Sequence, residues 1–160
     1  MTVETVRIRA MVFEDLDQVV ALAASLAQAP RWAREVYEAA LTPGSAPRRV
    51  ALVAVEPGSA AVAGFAVAAV VGPEAELESV AVAEKLQRRG IGRRLVGEIS
   101  RALGEAGVTK VLLEVRESNI PAQKLYEALG FGATGRRASY YLDPKEDAVV
   151  MALILGEDRG

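Results

Sequence analysis

Val6-Arg7-Ile8-Arg9-Ala10 alternates apolar and polar positions, the period of a half-buried strand, and the period then changes. Phe13, Leu16, Val19, Val20, Ala23 and Leu26 recur at helical spacing. A strand is therefore followed by an amphipathic helix, which Pro30 ends; Trp32 to Leu41 reads as a short second helix before the turn cluster Thr42-Pro43-Gly44-Ser45-Ala46-Pro47. Arg49 to Val55 and Ala60 to Val71 are valine-rich apolar runs separated by Glu56-Pro57-Gly58-Ser59, the pattern of an antiparallel hairpin, which Gly72-Pro73 closes. Glu76 to Val82 alternates again. After a polar link, Ile91, Leu95, Ile99 and Leu103 follow at i, i+4 spacing on the best-patterned helix of the chain. Gly104 and Gly107 stop that helix, and Lys110 to Val115 is a short strand. Ser118-Asn119 ahead of Pro121 starts a helix through Leu125 to Leu129, with Gly130 where a left-handed C-terminal cap falls. Two last strands, around Phe131 to Tyr141 and Ala148 to Leu155, are joined by the polar turn Asp143 to Asp147.

The predicted order is β α α β β β α β α β β, an α/β chain that a mixed sheet with helices on both faces accommodates. With 160 residues, no internal repeat and no long linker, we expect a single domain over 1–160.

Composition narrows the chemistry. A content of 51% apolar and 25% charged residues is that of an ordinary globular protein. The chain has no cysteine and no histidine. This excludes disulfides, thiolate and imidazole metal sites, a thiol nucleophile and a Ser-His-Asp triad, and we expect no metal. Proton chemistry falls to Asp, Glu, Tyr, Lys or water. A net charge of −2 and a pI near 5.4 argue against a nucleic-acid-coating role. Met1 to Arg9 carries three charges, and the longest apolar run, Ala60 to Val71, has 12 residues, short of the roughly 20 that span a bilayer. We therefore expect a soluble, cytoplasmic protein without membrane partners.

Gln87-Arg88-Arg89-Gly90-Ile91-Gly92-Arg93-Arg94-Leu95 joins the strand ending at Val82 to the best-patterned helix. Paired glycines let backbone N–H groups approach an anion, and the helix start adds about half a positive charge. Arg88, Arg89, Arg93 and Arg94 add cations, so polyphosphate is the natural ligand. A P-loop needs Gly-Lys-Ser/Thr, and a dinucleotide fingerprint needs a third glycine where Leu95 stands; neither is met.

Gln-x-x-Gly-x-Gly after a strand, a strand ending Leu113-Glu114-Val115-Arg116, and the segment Asn119 to Phe131 resemble the acyl-CoA-binding core of the GCN5-related N-acetyltransferases (GNAT). The order of elements suits that fold, with its splayed central strands, along nearly the whole chain. Leu125-Tyr126-Glu127-Ala128-Leu129-Gly130-Phe131, Arg136-Arg137 with Tyr140-Tyr141, Glu146 to Leu153, and Trp32 are similar to the RimI-type ribosomal-protein alanine N-acetyltransferases. Thr42 to Ser59 and Glu74 to Glu78 match nothing in that group, and Ala33 stands where its members have Ser.

The resemblance implies acetyl-CoA as cosubstrate, bound between two splayed parallel strands. It places backbone groups of Val80, Ala81 and Val82 against the pantetheine arm and thioester. Gln87, Arg88, Arg89, Gly90, Ile91, Gly92 and Arg93 belong to the pyrophosphate loop, and Asn119 holds the pantetheine arm. It makes Glu114 the base, through water, and Tyr126 the acid. Positioned acid-base help is worth roughly 10²–10⁴ in rate. A phenol of pKa about 10 gives a thiolate only modest help by proton transfer, so hydrogen bonding does as much. Glu76 is the rival base, since related acetyltransferases place a catalytic Glu on that strand, and Glu78 points the same way under period-two alternation. Tyr140 and Tyr141 are expected to line a peptide slot.

Taken singly these residues have plainer readings: Glu114 as an ion-pair partner of Arg116, Tyr126 as core, Asn119 as a helix cap, Tyr140 and Tyr141 as a surface pair. Together, after a suitable phosphate loop, they read as a site. The expected activity is acetylation of a protein N-terminal α-amine, of the ribosomal-protein alanine type, by direct transfer in a ternary complex. Acetylation of a small free amine and a non-catalytic acyl-CoA-binding domain are the alternatives.

Overall fold

The computed structural model describes residues 6–26 and 32–156. Pro30, expected to end the first helix, lies outside them. The elements are β1 (Arg7–Ala10), α1 (Leu16–Ser25), α2 (Arg34–Leu41), β2 (Arg48–Val55), β3 (Val62–Val71), β4 (Glu74–Val82), α3 (Ile91–Glu105), β5 (Lys110–Arg116), α4 (Ile120–Ala128), β6 (Gly132–Leu142) and β7 (Lys145–Ile154). The seven strands form one sheet in the order β1-β2-β3-β4-β5-β7-β6. All neighbours are antiparallel except β4 and β5.

Each face of the sheet carries helices because the strands bury both faces. On one side α3 contributes Ile91, Leu95, Ile99 and Leu103, with Ala122 and Tyr126 of α4 and Leu129 just after it packed against the same cluster. On the other, Leu16, Val19 and Tyr37 from α1 and α2 meet Val53, Val55, Phe65 and Val67. β3 is an interior strand covered on both sides, which is why its sequence is a continuous apolar run rather than an alternation. Gly64 of β3 is required there: a Cβ would lie 2.6 Å from the Ala81 carbonyl oxygen and 3.1 Å from Leu95 Cδ1.

Several boundaries differ from the sequence expectation. α1 begins at Leu16 rather than Phe13, because Phe13–Asp15 forms a 3₁₀ turn. Its carboxylate explains the turn: Asp15 Oδ2 accepts from the Val12 N–H at 2.8 Å, and both oxygens take the Arg9 guanidinium at 2.8 and 2.9 Å. Trp32 precedes α2 instead of starting it, β4 starts at Glu74, and the last hairpin turns over Asp143-Pro144 alone.

Asp15 is buried, and its hydrogen-bonded pairing with Arg9 holds its pKa below the usual carboxylate range. Removing one partner of such a pair leaves the other unsatisfied. Asp15→Asn is expected to lose roughly 2–3 kcal/mol in urea unfolding at pH 7. Because the folded pKa is depressed, the carboxylate's stabilisation is complete above the unfolded value of about 4 and is lost as pH falls through the folded value. The variant therefore lacks that part of the acid dependence; equal stability of the two proteins at neutral pH would contradict the assignment.

Candidate functional site

The parallel pair at the centre of the sheet is incomplete. β4 and β5 are in register only from Glu74–Glu76 against Lys110–Leu112. Beyond that point β5 stays with β7 along its whole length, while β4 follows β3. A bulge accompanies the separation: Ala68 pairs with Leu77 and Val67 with Ser79, so Glu78 is the extra residue. The bulge also inverts the strand's parity. Ala75 and Leu77 face the α3 side before it, Val80 and Val82 do so after it, and Ala81 is turned into the α1–α2 cluster.

A cleft of about 490 Å³ fills the resulting gap, lined by β4, β5, α4, β6 and Trp32. Glu76, Val80, Glu114, Asn119, Tyr126, Tyr140 and Tyr141 all contribute to it. Ser79 to Val82 pair with β3 on one edge and with no strand on the other. Backbone groups turned toward that open edge are free to hydrogen-bond an extended amide-bearing ligand. The Ser79 hydroxyl, buried at the cleft wall, has no hydrogen-bond partner among the described residues.

At the end of β4 the chain turns through Glu84–Leu86 into the arginine loop. Gln87 fixes the loop to the strand, its Nε2 donating to the Val82 carbonyl at 3.0 Å. Arg88 (φ 64°) and Gly90 (φ 83°) are both left-handed, and α3 starts directly after Gly90. Left-handed residues interleaved with ordinary ones make a concave row of N–H groups, and the N-terminus of a 15-residue helix points into it. A side chain rarely adopts this conformation, so Arg88 marks a loop held in shape. Arg88, Arg89 and Arg93 are exposed around the turn, whereas Arg94 turns inward and donates to the Val6 carbonyl at 2.6 Å. Ile91 is core, so its contribution to an anion site is its backbone N–H.

Inside the cleft the acidic side chains are unequally partnered. Glu78 is paired with Arg49 at 2.8 and 3.3 Å, and Arg49 sits 5.9 Å from the Trp32 ring centre. Glu114 is ion-paired with Arg137, not with Arg116, which pairs instead with Glu146 at 3.2 Å. Glu76 has no such cation among the described residues. Although it is exposed as a residue, desolvation pushes its pKa up, and the charges of Glu114 and Glu78 add to this against a smaller opposing effect of Arg137.

Tyr126 projects from α4 with its ring edge-to-face on Phe131 at 5.6 Å, so the core reading of this residue is partly realised. Burial, with a smaller contribution from Tyr141, pushes its phenol up to about 12. Asn119 is likewise a cap, its Oδ1 accepting from the Ala122 N–H at 3.3 Å, while it also lines the cleft. Tyr140 and Tyr141 are neighbours in a strand and would ordinarily point apart. They line the same cleft in edge-to-face contact, 5.1 Å between centres, because β6 is irregular between Arg137 and Tyr141 and Ser139 is left-handed at φ 51°. Asp147 holds that kink, accepting from the Ser139 N–H at 2.8 Å. Arg116 braces the wall from behind: it donates to the Pro144 and Asp143 carbonyls and lies 4.2 Å over the Tyr141 ring.

Arg137, Arg49, Ser79, Asp147 and Glu146 were not among the residues singled out as site candidates. Arg137 reaches Glu114 across β7, and no local pattern signals a contact between strands two places apart.

Among the described residues, no helix is long and apolar enough to cross a membrane. Comparison with known proteins agrees with the geometry. The chain is 45% identical over 93 residues to the ribosomal protein bS18-alanine N-acetyltransferase of Escherichia coli (strain K12), covering 57% of this chain and 63% of that one. It is 43% identical over 95 residues to the protein of the same description from Haemophilus influenzae, covering 58% and 64%. The chain thus spans somewhat under two thirds of these relatives. The crystal structure of the E. coli ribosomal-protein-S18-alanine N-acetyltransferase superposes with a TM-score of 0.81 at 30% identity, covering 97% of this chain and 98% of that one. The model of the Acetyltransferase (GNAT) family matches residues 15–131, a span that holds the splayed strands, the arginine loop and Tyr126, and the chain belongs to that family.

Proposed function

We propose that the protein transfers an acetyl group from acetyl-CoA to a protein N-terminal α-amine, of the ribosomal-protein alanine type. The observation that carries this reading is the coincidence of an open β4 edge, a concave arginine loop at its end, and Glu114 and Tyr126 in the cleft alongside. The open edge of Val80, Ala81 and Val82 suits the amides of a pantetheine arm. The N–H groups of Gly90 to Gly92, with Arg88, Arg89 and Arg93, suit a pyrophosphate, and Asn119 lies beside the arm's path.

Acetyl-CoA supplies the activated acyl carbon, so the protein needs no nucleophile of its own. Glu114 takes the ammonium proton through water, freeing the lone pair that forms the N–C bond. Tyr126 donates a hydrogen bond toward the sulfur as the C–S bond breaks, the nitrogen's second proton passes to the departing thiolate, and Tyr140, Tyr141 and Trp32 flank the acceptor. Glu76, which lines the same cleft beside Glu114, helps hold the ammonium, whose charge offsets the desolvation and carboxylate repulsion that raise the Glu76 pKa.

The reading is tested by incubating the protein with acetyl-CoA and, separately, an Ala-starting peptide, a lysine peptide and a polyamine, with mass analysis of the site modified. N-terminal modification of the first peptide, faster than acetylation of either other amine, is expected. Preference for the polyamine assigns small-amine chemistry instead, and tight acetyl-CoA binding without any product assigns a binding domain.

A further inference from the structure

Arg137 stands on the exposed edge strand β6, and its side chain remains 62% exposed while that of Glu114 beneath it is 13% exposed. The guanidinium spans β7 to reach the carboxylate, lies 5.5 Å over the Tyr140 ring, and is near enough to Glu76 to act on its charge. Tyr140 is close enough to Glu114 for that carboxylate to raise its phenol pKa, and both line the cleft. A carboxylate beneath and an aromatic face beside it are the parts of an organic-cation site, and here the chain's own arginine occupies them.

The occupation is imperfect. Glu114 Oε2 is buried with Arg137 Nε directly against it, but the contact is out of hydrogen-bond alignment, and no other donor among the described residues reaches that oxygen. The guanidinium stays largely in water, so it can leave by rotating outward, whereas the nearly buried carboxylate needs a replacement cation, which an entering ammonium supplies. An incoming ammonium, with more compact and freely rotating donors, meets the same carboxylate with better geometry.

Resting on the reading of this cleft as the acceptor site, we propose that Arg137 is its resident cation. In the free protein its guanidinium holds the place beside Glu114 and Tyr140 that the acceptor's ammonium takes, and it swings outward when the acceptor enters. Arg137 is then a specificity-determining residue. An amine that offers only its charge competes poorly against it, whereas a peptide that also contacts the tyrosine wall displaces it.

The test compares wild type, Arg137→Ala and Arg137→Lys. In the alanine variant the KM for an Ala-starting peptide is expected to fall about three- to tenfold, and the KM for a simple amine to fall at least as much, as expected for losing one competing cation. The KM for acetyl-CoA stays unchanged, and the lysine variant behaves like wild type. Methylguanidinium should inhibit the alanine variant competitively with the peptide and wild type far less. An unchanged or higher peptide KM in Arg137→Ala, or no competition by methylguanidinium, overturns the proposal. Titrating methylguanidinium into tyrosine-labelled protein and following the Tyr140 ring signals by NMR needs no turnover. Shifts in Arg137→Ala that are absent from wild type support the cation site even if no amine is acetylated, and their absence refutes it, so the two readings fail separately.

Discussion

Tyr126→Phe is expected to lower kcat by about 10²–10³-fold with the Kd for acetyl-CoA within about twofold of wild type. The substitution removes only the hydroxyl. The ring, edge-to-face on Phe131 and packed against the α3–α4 cluster, stays in place, so a loss of rate is not a loss of fold. The raised pKa sharpens what the hydroxyl does. A phenol at about 12 opposite a thiolate whose thiol has a pKa of about 8.5 would transfer its proton uphill by about 3.5 units, roughly 5 kcal/mol. On the proposed reading Tyr126 acts chiefly as a hydrogen-bond donor to charge developing on sulfur, a bond that burial strengthens by excluding water. A pH profile checks this. Because the folded pKa is raised, the phenol stays protonated well above pH 10, and kcat of the wild type shows no decline through pH 10 from this group. A fall centred near 10 that Tyr126→Phe abolishes would contradict the assigned environment, and a near-normal kcat in the variant would remove Tyr126 from the chemistry.

The parts of the fold that were legible in the sequence are those written in local period. Ile91, Leu95, Ile99 and Leu103 mark one face of α3, and all are buried. Gly130 takes the left-handed cap at φ 100° that its position after Leu129 suggested. The two features that shape the cleft are not local. The alternation that carries Glu76 and Glu78 onto one face would carry Val80 with them; the bulge at Glu78 reverses it, and a bulge exists only relative to the partner strand β3. The kink at Ser139 likewise depends on Asp147 in β7, which accepts its N–H. The candidate residues of the cleft were therefore identifiable by type and by resemblance. Their pairing, Glu114 with Arg137 and Glu78 with Arg49, follows from register and was not.

Glu114→Gln is expected to lower kcat/KM for an Ala-starting peptide by about 10²-fold at pH 7, and Glu76→Gln by about tenfold or less. The amide keeps the shape and volume of Glu114 but cannot take a proton, and it gives up the charge that Arg137 answers. What remains is the fraction of acceptor already deprotonated in solution. For an α-amine with a pKa near 8, that fraction rises from about one tenth at pH 7 to about nine tenths at pH 9. The variant's defect should accordingly narrow by up to about tenfold over that range. A lysine amine near 10.4 is about 2.5 units harder to deprotonate, equivalent to roughly 3.5 kcal/mol. With it the variant's rate keeps climbing through pH 9 and reaches no plateau. These slopes separate a lost base from a lost ammonium anchor: an anchor's removal raises KM at every pH and leaves the slopes alone. If Glu76→Gln shows the larger defect and the steeper pH dependence, the proton acceptor is Glu76. Glu114, vacated by Arg137, is then the fixed anion that orients the ammonium toward it.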